Sequence, residues 1–288
     1  MPPQFSLEYF DPPAALSRHV LVLFHFSTEM EQVEDVQPGA LGQLVLFPQG
    51  VGSIGFGDRK DPVSSKPYLM SGFSAAAPFS MRGPWNAVGA SLSPLGWAAL
   101  TKAPANAHID RFFPAAELLG EGIDAFADVI IERYNAEQVD GRAACDALAA
   151  WIASRLGKTK HAHEVLIEAT ITWVGSALNP DLNDLFANLD YSRRQAERLV
   201  ERYFGLPPAA LARKYRSIRS AAMLAQDDLS DSEESAIAMA YYDQPHMIRE
   251  IREFCGYTPT RLGGEGQPIL KTLLQMKNFN RLQEFKAS

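Results

Sequence analysis

The sequence holds little of what catalysis, metal binding or secretion would require. Its two cysteines, Cys145 and Cys255, form no CxxC pair, which excludes a disulfide framework and a thiolate zinc site. There is no GxSxG elbow, HExxH helix or Walker loop. No catalytic residue, cofactor site or metal site is therefore assigned, and an enzyme is not expected. Long apolar runs are also missing. The most apolar stretch, HVLVLFHF at 19–26, is too short to span a bilayer. The opening MPPQFSLEYFDPP lacks the basic start and apolar core of a signal peptide. These absences predict a soluble cytoplasmic protein without a membrane partner. Positive charge is in deficit as well, with 27 Lys+Arg against 34 Asp+Glu and a net charge of −7. That balance opposes nonspecific attraction to nucleic acid.

What is present is ordinary globular composition, 47% hydrophobic and 21% charged over 288 residues, long enough for two domains. The fold expected is α+β. In the first hundred residues HVLVLFHF, GQLVLFP, GSIGFG, YLMSGFSA and NAVGASLS are short apolar or alternating runs between Pro, Gly and Asp turns, the pattern of a β-rich domain. Helical periodicity takes over from Pro94, in SPLGWAALTK, PAAELLG, DAFADVIIERYNAE and RAACDALAAWIASRLG. The helices at 121–157 offer a face for a homodimer. A polar stretch at 158–164, KTKHAHE, follows a Gly stop and is read as the boundary between domains 1–160 and 161–288. Beyond it the chain reads as helical. LGGEGQP is expected as a loop and ILKTLLQMKNFNRLQEF as a last amphipathic helix.

Three weaker signals have simpler explanations. GVGSIG at 50–55 matches a dinucleotide fingerprint, but the following FGDRKDPVSSKP cannot supply the helix that fingerprint needs. A Gly-rich hairpin is expected instead. HAHE at 161–164 has metal-binding residue types, yet lies in the linker without further ligands. His19 and His25 flank an apolar strand and read as structural.

The charge is segregated. Residues 192–219 carry eight basic and two acidic side chains, whereas 226–253 carry two basic and eight acidic. Within the first window Asp181 can cap a short helix bearing Leu182, Leu185, Phe186 and Leu189. After a break at 190–191, Ser192 and Gln195 form a capping-box pattern. In the helix that follows, Ala196, Leu199, Val200, Tyr203 and Phe204 share one face, and Arg194, Arg198 and Arg202 fall opposite. A short helix, a tight turn and a helix with outward arginines make a helix-turn-helix. Arginine suits such a face because its planar fork can bind guanine O6/N7 or pin a phosphate. A solvated helix with i,i+4 pairs from Glu197 and Glu201 is the plainer reading of the same residues.

The layout recurs at SEESAIAMAYYDQPHMIREIREFCGYTP. A short helix around 236–240 precedes Asp243 as N-cap of another, with Met247, Ile251, Phe254 and Cys255 inward. The second helices end alike, in YFGLPP and FCGYTP, and PAALARKYRSIRSAAMLA reads as a basic helix between the units.

With these features, about eighty residues resemble the DNA-binding domain of AraC/XylS-type transcriptional regulators, two helix-turn-helix units joined by one long helix. The echoes are SRRQ…RYFGLPP, the Arg216/Arg219/Ala221 pattern and YYDQPHMIREIREFCGYTP. The first part also resembles the β-rich, cupin-like sensor domain of one such subgroup, and the units fall at about 181–205 and 231–256. By the resemblance Arg194, Glu197 and Arg198 face bases in the first unit, as do Gln244, His246 and Arg249 in the second. Arg193, Arg202, Arg213, Lys214, Arg216 and Arg219 are phosphate contacts or structural pairs, and Arg252 lies further along the second DNA-facing helix. Asp190 and Ala240 stand where the family has a turn glycine, and Ala in a left-handed conformation there would cost about 1 kcal/mol. The resemblance implies a promoter-binding regulator of double-stranded DNA, a small-molecule effector on the N-terminal domain, and RNA polymerase as a partner if it activates. Its two recognition helices would enter grooves about 34 Å apart. The alternative is a ligand- or protein-interaction module with a degenerate helix-turn-helix, motivated by the acidic second unit. An enzyme on the β-rich half rests on fold analogy alone. Trp85, Trp97 and Phe79 are the aromatic candidates for an effector pocket.

Overall fold

The computed structural model describes residues 5–39, 41–226, 229–262 and 268–274. The chain divides into two compact units. The first comprises Met1–Glu34, Leu41–Gly72 and Pro78–Thr159, and the second comprises Asp35–Ala40, Phe73–Ala77 and Lys160–Ser288. Two short segments from the β-rich part of the sequence thus belong to the helical unit.

The strands are β1 (Phe5–Phe10), β2 (Val20–Thr28), β3 (Gln32–Gln37), β4 (Gln43–Phe56), β5 (Arg59–Val63), β6 (Pro67–Met70), β7 (Ala77–Leu92) and β8 (Phe112–Pro114). They form one sheet in the order β1-β2-β7-β4-β6-β8, with β3 on β7 and β5 on β4. GQLVLFP and GSIGFG, separate runs in the sequence, merge into the single strand β4, whose register against β7 shifts on both sides of Gln49. Such irregularities let a long strand bend without ending. GVGSIG lies at the end of that strand and turns through Gly57, at φ +59°, into β5. This is the hairpin expected, with no helix after it.

Helices α1 (Pro94–Thr101), α2 (Ala116–Leu119), α3 (Gly122–Asn135) and α4 (Gly141–Arg155) complete the unit. Ser93 caps α1 by accepting from the Gly96 amide, and Asp140 caps α4 by accepting from that of Ala143, each serving an otherwise orphaned N–H. Their apolar faces close the core: Ile123, Ala127 and Ile130 of α3 and Cys145, Leu148 and Ile152 of α4 join Leu23, Leu44, Leu69 and Val88 of the sheet. Trp97 is part of this core and donates to the Ala103 carbonyl, whereas Trp85 packs at a tilt against Phe26 and edge-on against Phe79. His25 is structural, as the sequence suggests. It is buried, with Nε2 2.7 Å from the Tyr134 hydroxyl and Nδ1 3.3 Å from Glu8.

The second unit holds α5 (His161–Ser176), α6 (Leu182–Ala187), α7 (Arg193–Phe204), α8 (Pro208–Leu224), α9 (Asp231–Ala240), α10 (Gln244–Cys255) and α11 (Pro268–Leu273). HAHE is the first turn of α5, not a linker, because the apolar run from Val165 continues its helical period upstream. His163 Nδ1 lies 2.6 Å from the Tyr203 hydroxyl of α7. Among the described residues no cluster of His, Cys, Asp and Glu could hold a metal, and no helix is long and apolar enough to cross a membrane. Of the loop expected at 262–268 and the last helix expected at 269–285, residues 263–267 and 275–285 lie outside the described residues.

Candidate nucleic-acid interface

Each half of the interface is a short helix, a turn and a longer helix. In the first, Asp181 caps α6 by accepting from the Asn183 amide. Ser192 and Gln195 form a complete capping box on α7, fixing where that helix begins. Ala196, Val200, Tyr203 and Phe204 are buried beneath it, and Gly205, at φ +80°, ends it. In the second, Ser230 and Glu233 form a capping box on α9, Asp243 caps α10 by accepting from the His246 amide, and Gly256, at φ +83°, ends α10. Both helices stop at a glycine because a left-handed residue there costs no Cβ clash. The turn positions behave differently from expectation. Neither Asp190 nor Ala240 adopts a positive φ, and Ala240 simply completes α9. The cost foreseen at Ala240 is not incurred.

The outer face of α7 presents Arg194, Arg198 and Arg202, all exposed. Arg194 and Arg198 make no ion pair among the described residues. Arg193, also exposed, pairs with Glu197 at 3.2 Å and lies over the Phe186 ring. On α10 Gln244, Arg249 and Arg252 are exposed, while His246 is half-buried and its Nε2 lies 3.0 Å from Glu250.

Of the remaining basic residues of the 192–219 window, Lys214, Arg216 and Arg219 turn inward, while Arg213 stays exposed but pairs with acids of α10. Glu250, 2% exposed, sits on the inner side of α10. It accepts from Arg216 Nε and Nη2 at 3.1 and 2.6 Å and from Arg213 Nε at 2.8 Å. Burial pushes the Glu250 pKa up, but hydrogen bonds from Arg213 and Arg216, and then their charges, outweigh it and leave a net fall. Arg216 also donates to Asn179 Oδ1 and the Ala240 carbonyl and lies over the Tyr241 ring. Arg219 donates to the carbonyls of Ala177 and Val174. Burial holds its pKa below the usual arginine value. Lys214 is 2% exposed and donates to the Phe73 carbonyl at 2.7 Å. Between phosphate contact and structural pair, Lys214, Arg216 and Arg219 fall to the second. Among the described residues, the exposed arginines of the first helix-turn-helix that lack an acidic partner therefore lie on the α7 face. The missed signal was Glu250 itself, a carboxylate on the same side of α10 as Ile251 and Phe254, which must have a cationic partner to be buried.

What this arrangement can do is hold two helices on one scaffold, α8, with exposed arginines on the outer face of each. Residues 185–263 match the family model described as a helix-turn-helix domain. The matched residues run from Leu185 in α6 through α7, α8, α9 and α10, and so take in both helix-turn-helix units. The chain is 32% identical over 96 residues to the HTH-type transcriptional regulator GbdR of Pseudomonas aeruginosa strain UCBPP-PA14, covering 33% of this chain and 26% of that protein. It thus spans about a quarter of the length of the curated relatives it matches. Among solved structures it is similar to ToxT from Vibrio cholerae O395, with 9% identity, a TM-score of 0.45 and coverage of 90% of this chain and 96% of that one. It is also similar to the AraC-like transcriptional activator CuxR, with 12% identity, a TM-score of 0.29 and coverage of 82% and 92%.

Proposed function

We propose that this chain is a sequence-specific DNA-binding transcriptional regulator. In this reading α7 and α10 enter the major groove of a promoter, and the β-rich unit carries the site for a small-molecule effector. The observation that carries it is the outer face of α7, where Arg194 and Arg198 stand exposed, without ion pairs among the described residues, on a helix whose other face is buried. Arg194, Glu197 and Arg198 read bases, as do Gln244 and Arg249. Arg193, Arg202 and Arg252 position the protein on phosphate, contacts that carry no sequence information. His246 has a lesser share, since Glu250 holds its Nε2. The protein works in the cytoplasm, as a homodimer through α3 and α4, with RNA polymerase as partner if it activates.

Fluorescence anisotropy with the DNA upstream of its own gene, against scrambled duplex at several salt concentrations, tests this. Specific binding should weaken with salt at a log–log slope of roughly −0.9 per phosphate neutralised. Arg198→Ala should cost about 1–3 kcal/mol and relax one base preference. Equal loss on every sequence makes Arg198 a phosphate contact. Binding without a salt slope refutes the reading. That result favours the interaction module, to which the exposed acidic start of α9 (Asp231, Glu234) lends its one specific support.

A further inference from the structure

An α-helix leaves its last carbonyls without partners inside the helix. At the end of α10 those carbonyls are served from far away in the sequence, within the second unit. The Gly256 amide returns to the Arg252 carbonyl at 2.9 Å, an ordinary glycine cap. The next two carbonyls, of Glu253 and Phe254, accept from the amides of Ala76 and Gly39, each at 2.8 Å. The second recognition helix is thus finished by the segments Asp35–Ala40 and Phe73–Ala77. Among the described residues no such amide reaches the end of α7.

Packing closes the same contact. A Cβ on Gly256 would stand 2.6 Å from Val36 Cγ1, and one on Gly39 would stand 3.1 Å from Lys214 Cε. Lys214 projects from the scaffold helix α8 into this junction, and its Nζ meets the Phe73 carbonyl. A buried ammonium is costly without such an acceptor, so segment and lysine hold each other in place. Asp35 fastens the other end, its Oδ2 accepting from the amides of Ile269 and Leu270 of α11 at 3.2 and 3.1 Å.

We infer that Lys214, with the backbone amides of Gly39 and Ala76, is a positioning device for the second recognition helix. These groups set how α10 is presented to DNA; the geometry stands by itself, and its consequence for base reading rests on the function proposed above. None of the three touches DNA. They act through the C-terminal end of α10, while Gln244 opens the helix and Arg249 lies at its middle.

The test uses the full chain and its Lys214→Met, Gly39→Ala and Ala76→Pro variants. Hydrogen exchange of peptides from α10 and α7 is measured by mass spectrometry. Affinity is measured by anisotropy for the duplexes that the wild-type chain enriches from a randomised pool, and for their single-base variants. The expected result is faster exchange in α10, unchanged exchange in α7, and about a tenfold loss of base discrimination confined to one half-site. A merely structural lesion would weaken both half-sites alike. Unchanged α10 exchange in Lys214→Met and Gly39→Ala overturns the inference, and so does discrimination lost equally in both half-sites. If Ala76→Pro speeds exchange in α7 too, it has damaged the fold, and the other two variants decide. If the wild-type chain enriches no duplex, the DNA reading fails, and exchange alone still judges whether these groups hold α10.

Discussion

Removing Glu250 should loosen the second helix-turn-helix far more than removing any surface acid. Its carboxylate faces Arg216, whose side chain is 9% exposed, and Arg213, whose side chain is 45% exposed. In Glu250→Ala, Arg213 can turn to water and keep its 3.1 Å pair with Glu253. Arg216 cannot, and retains the Asn179 and Ala240 oxygens and the face of Tyr241. Breaking one side of a buried pair costs about 3–5 kcal/mol. With two neutral acceptors left, the lower end applies, about 3 kcal/mol or roughly a 150-fold rise in the open population. Native-state hydrogen exchange of α8 and α10 peptides reads that population directly, without assuming that both units unfold together. The control is Glu197→Ala, whose pair with Arg193 is exposed on both sides and contributes about 0.5 kcal/mol or less. The pH dependence has a definite sign. A depressed folded pKa means that Glu250 stabilises above its unfolded value, and that this is lost as pH falls through the folded one. Acidification through the folded pKa, which lies below the ordinary 4.5, should therefore mimic Glu250→Gln. If Glu250→Ala speeds exchange in α10 no more than Glu197→Ala does in α7, the cluster does not hold the unit together.

Other outcomes follow from burial. Asp35 has the opposite sign to Glu250: burial raises its pKa more than the amides of Val36, Leu270 and Ile269 lower it. Its contribution is therefore fullest at low pH and fades as pH rises through the folded pKa. Asp35→Asn, an uncharged acceptor, should flatten that dependence in exchange measured on α11. Asp35→Ala should cost about 1–3 kcal/mol by taking the acceptor from the amides of Val36, Ile269 and Leu270. Cys145 and Cys255 are both fully buried, the first with its pKa pushed up to about 12 and the second also raised by burial. Neither should react with a thiol reagent at pH 8 until denaturant is added, and prompt labelling of the native chain would show that one of these cores opens.

The sequence made the second unit legible where a side chain completes a local backbone pattern. Ser192 with Gln195, Asp243, Gly205 and Gly256 each act within a few residues of themselves, and the helices begin and end where they indicate. The sheet was partly legible. The apolar runs became β2, β4, β6 and β7, but β1 and β3 alternate exposed and half-buried or buried residues and carry little apolar signal. What could not be read was the destination of charge. Arg194 and Arg216 look alike in a charge count, and only the three-dimensional position of Glu250 tells an outward guanidinium from an inward one. For the same reason nothing near Gly39 or Ala76 announced that their amides would finish a helix at the other end of the chain.

That last feature bears on how the protein is made. Asp35 and Leu270 are 235 positions apart, and Phe73 and Lys214 are 141 apart. At about 5–20 residues per second, the ribosome exposes the Asp35–Ala40 segment roughly 10–50 s before its partners exist. The β-rich unit has time to fold first, with these two stretches still unfilled. A nascent chain stalled before α10 would then carry N–H groups at 39 and 76 without the carbonyls that accept from them in the finished chain.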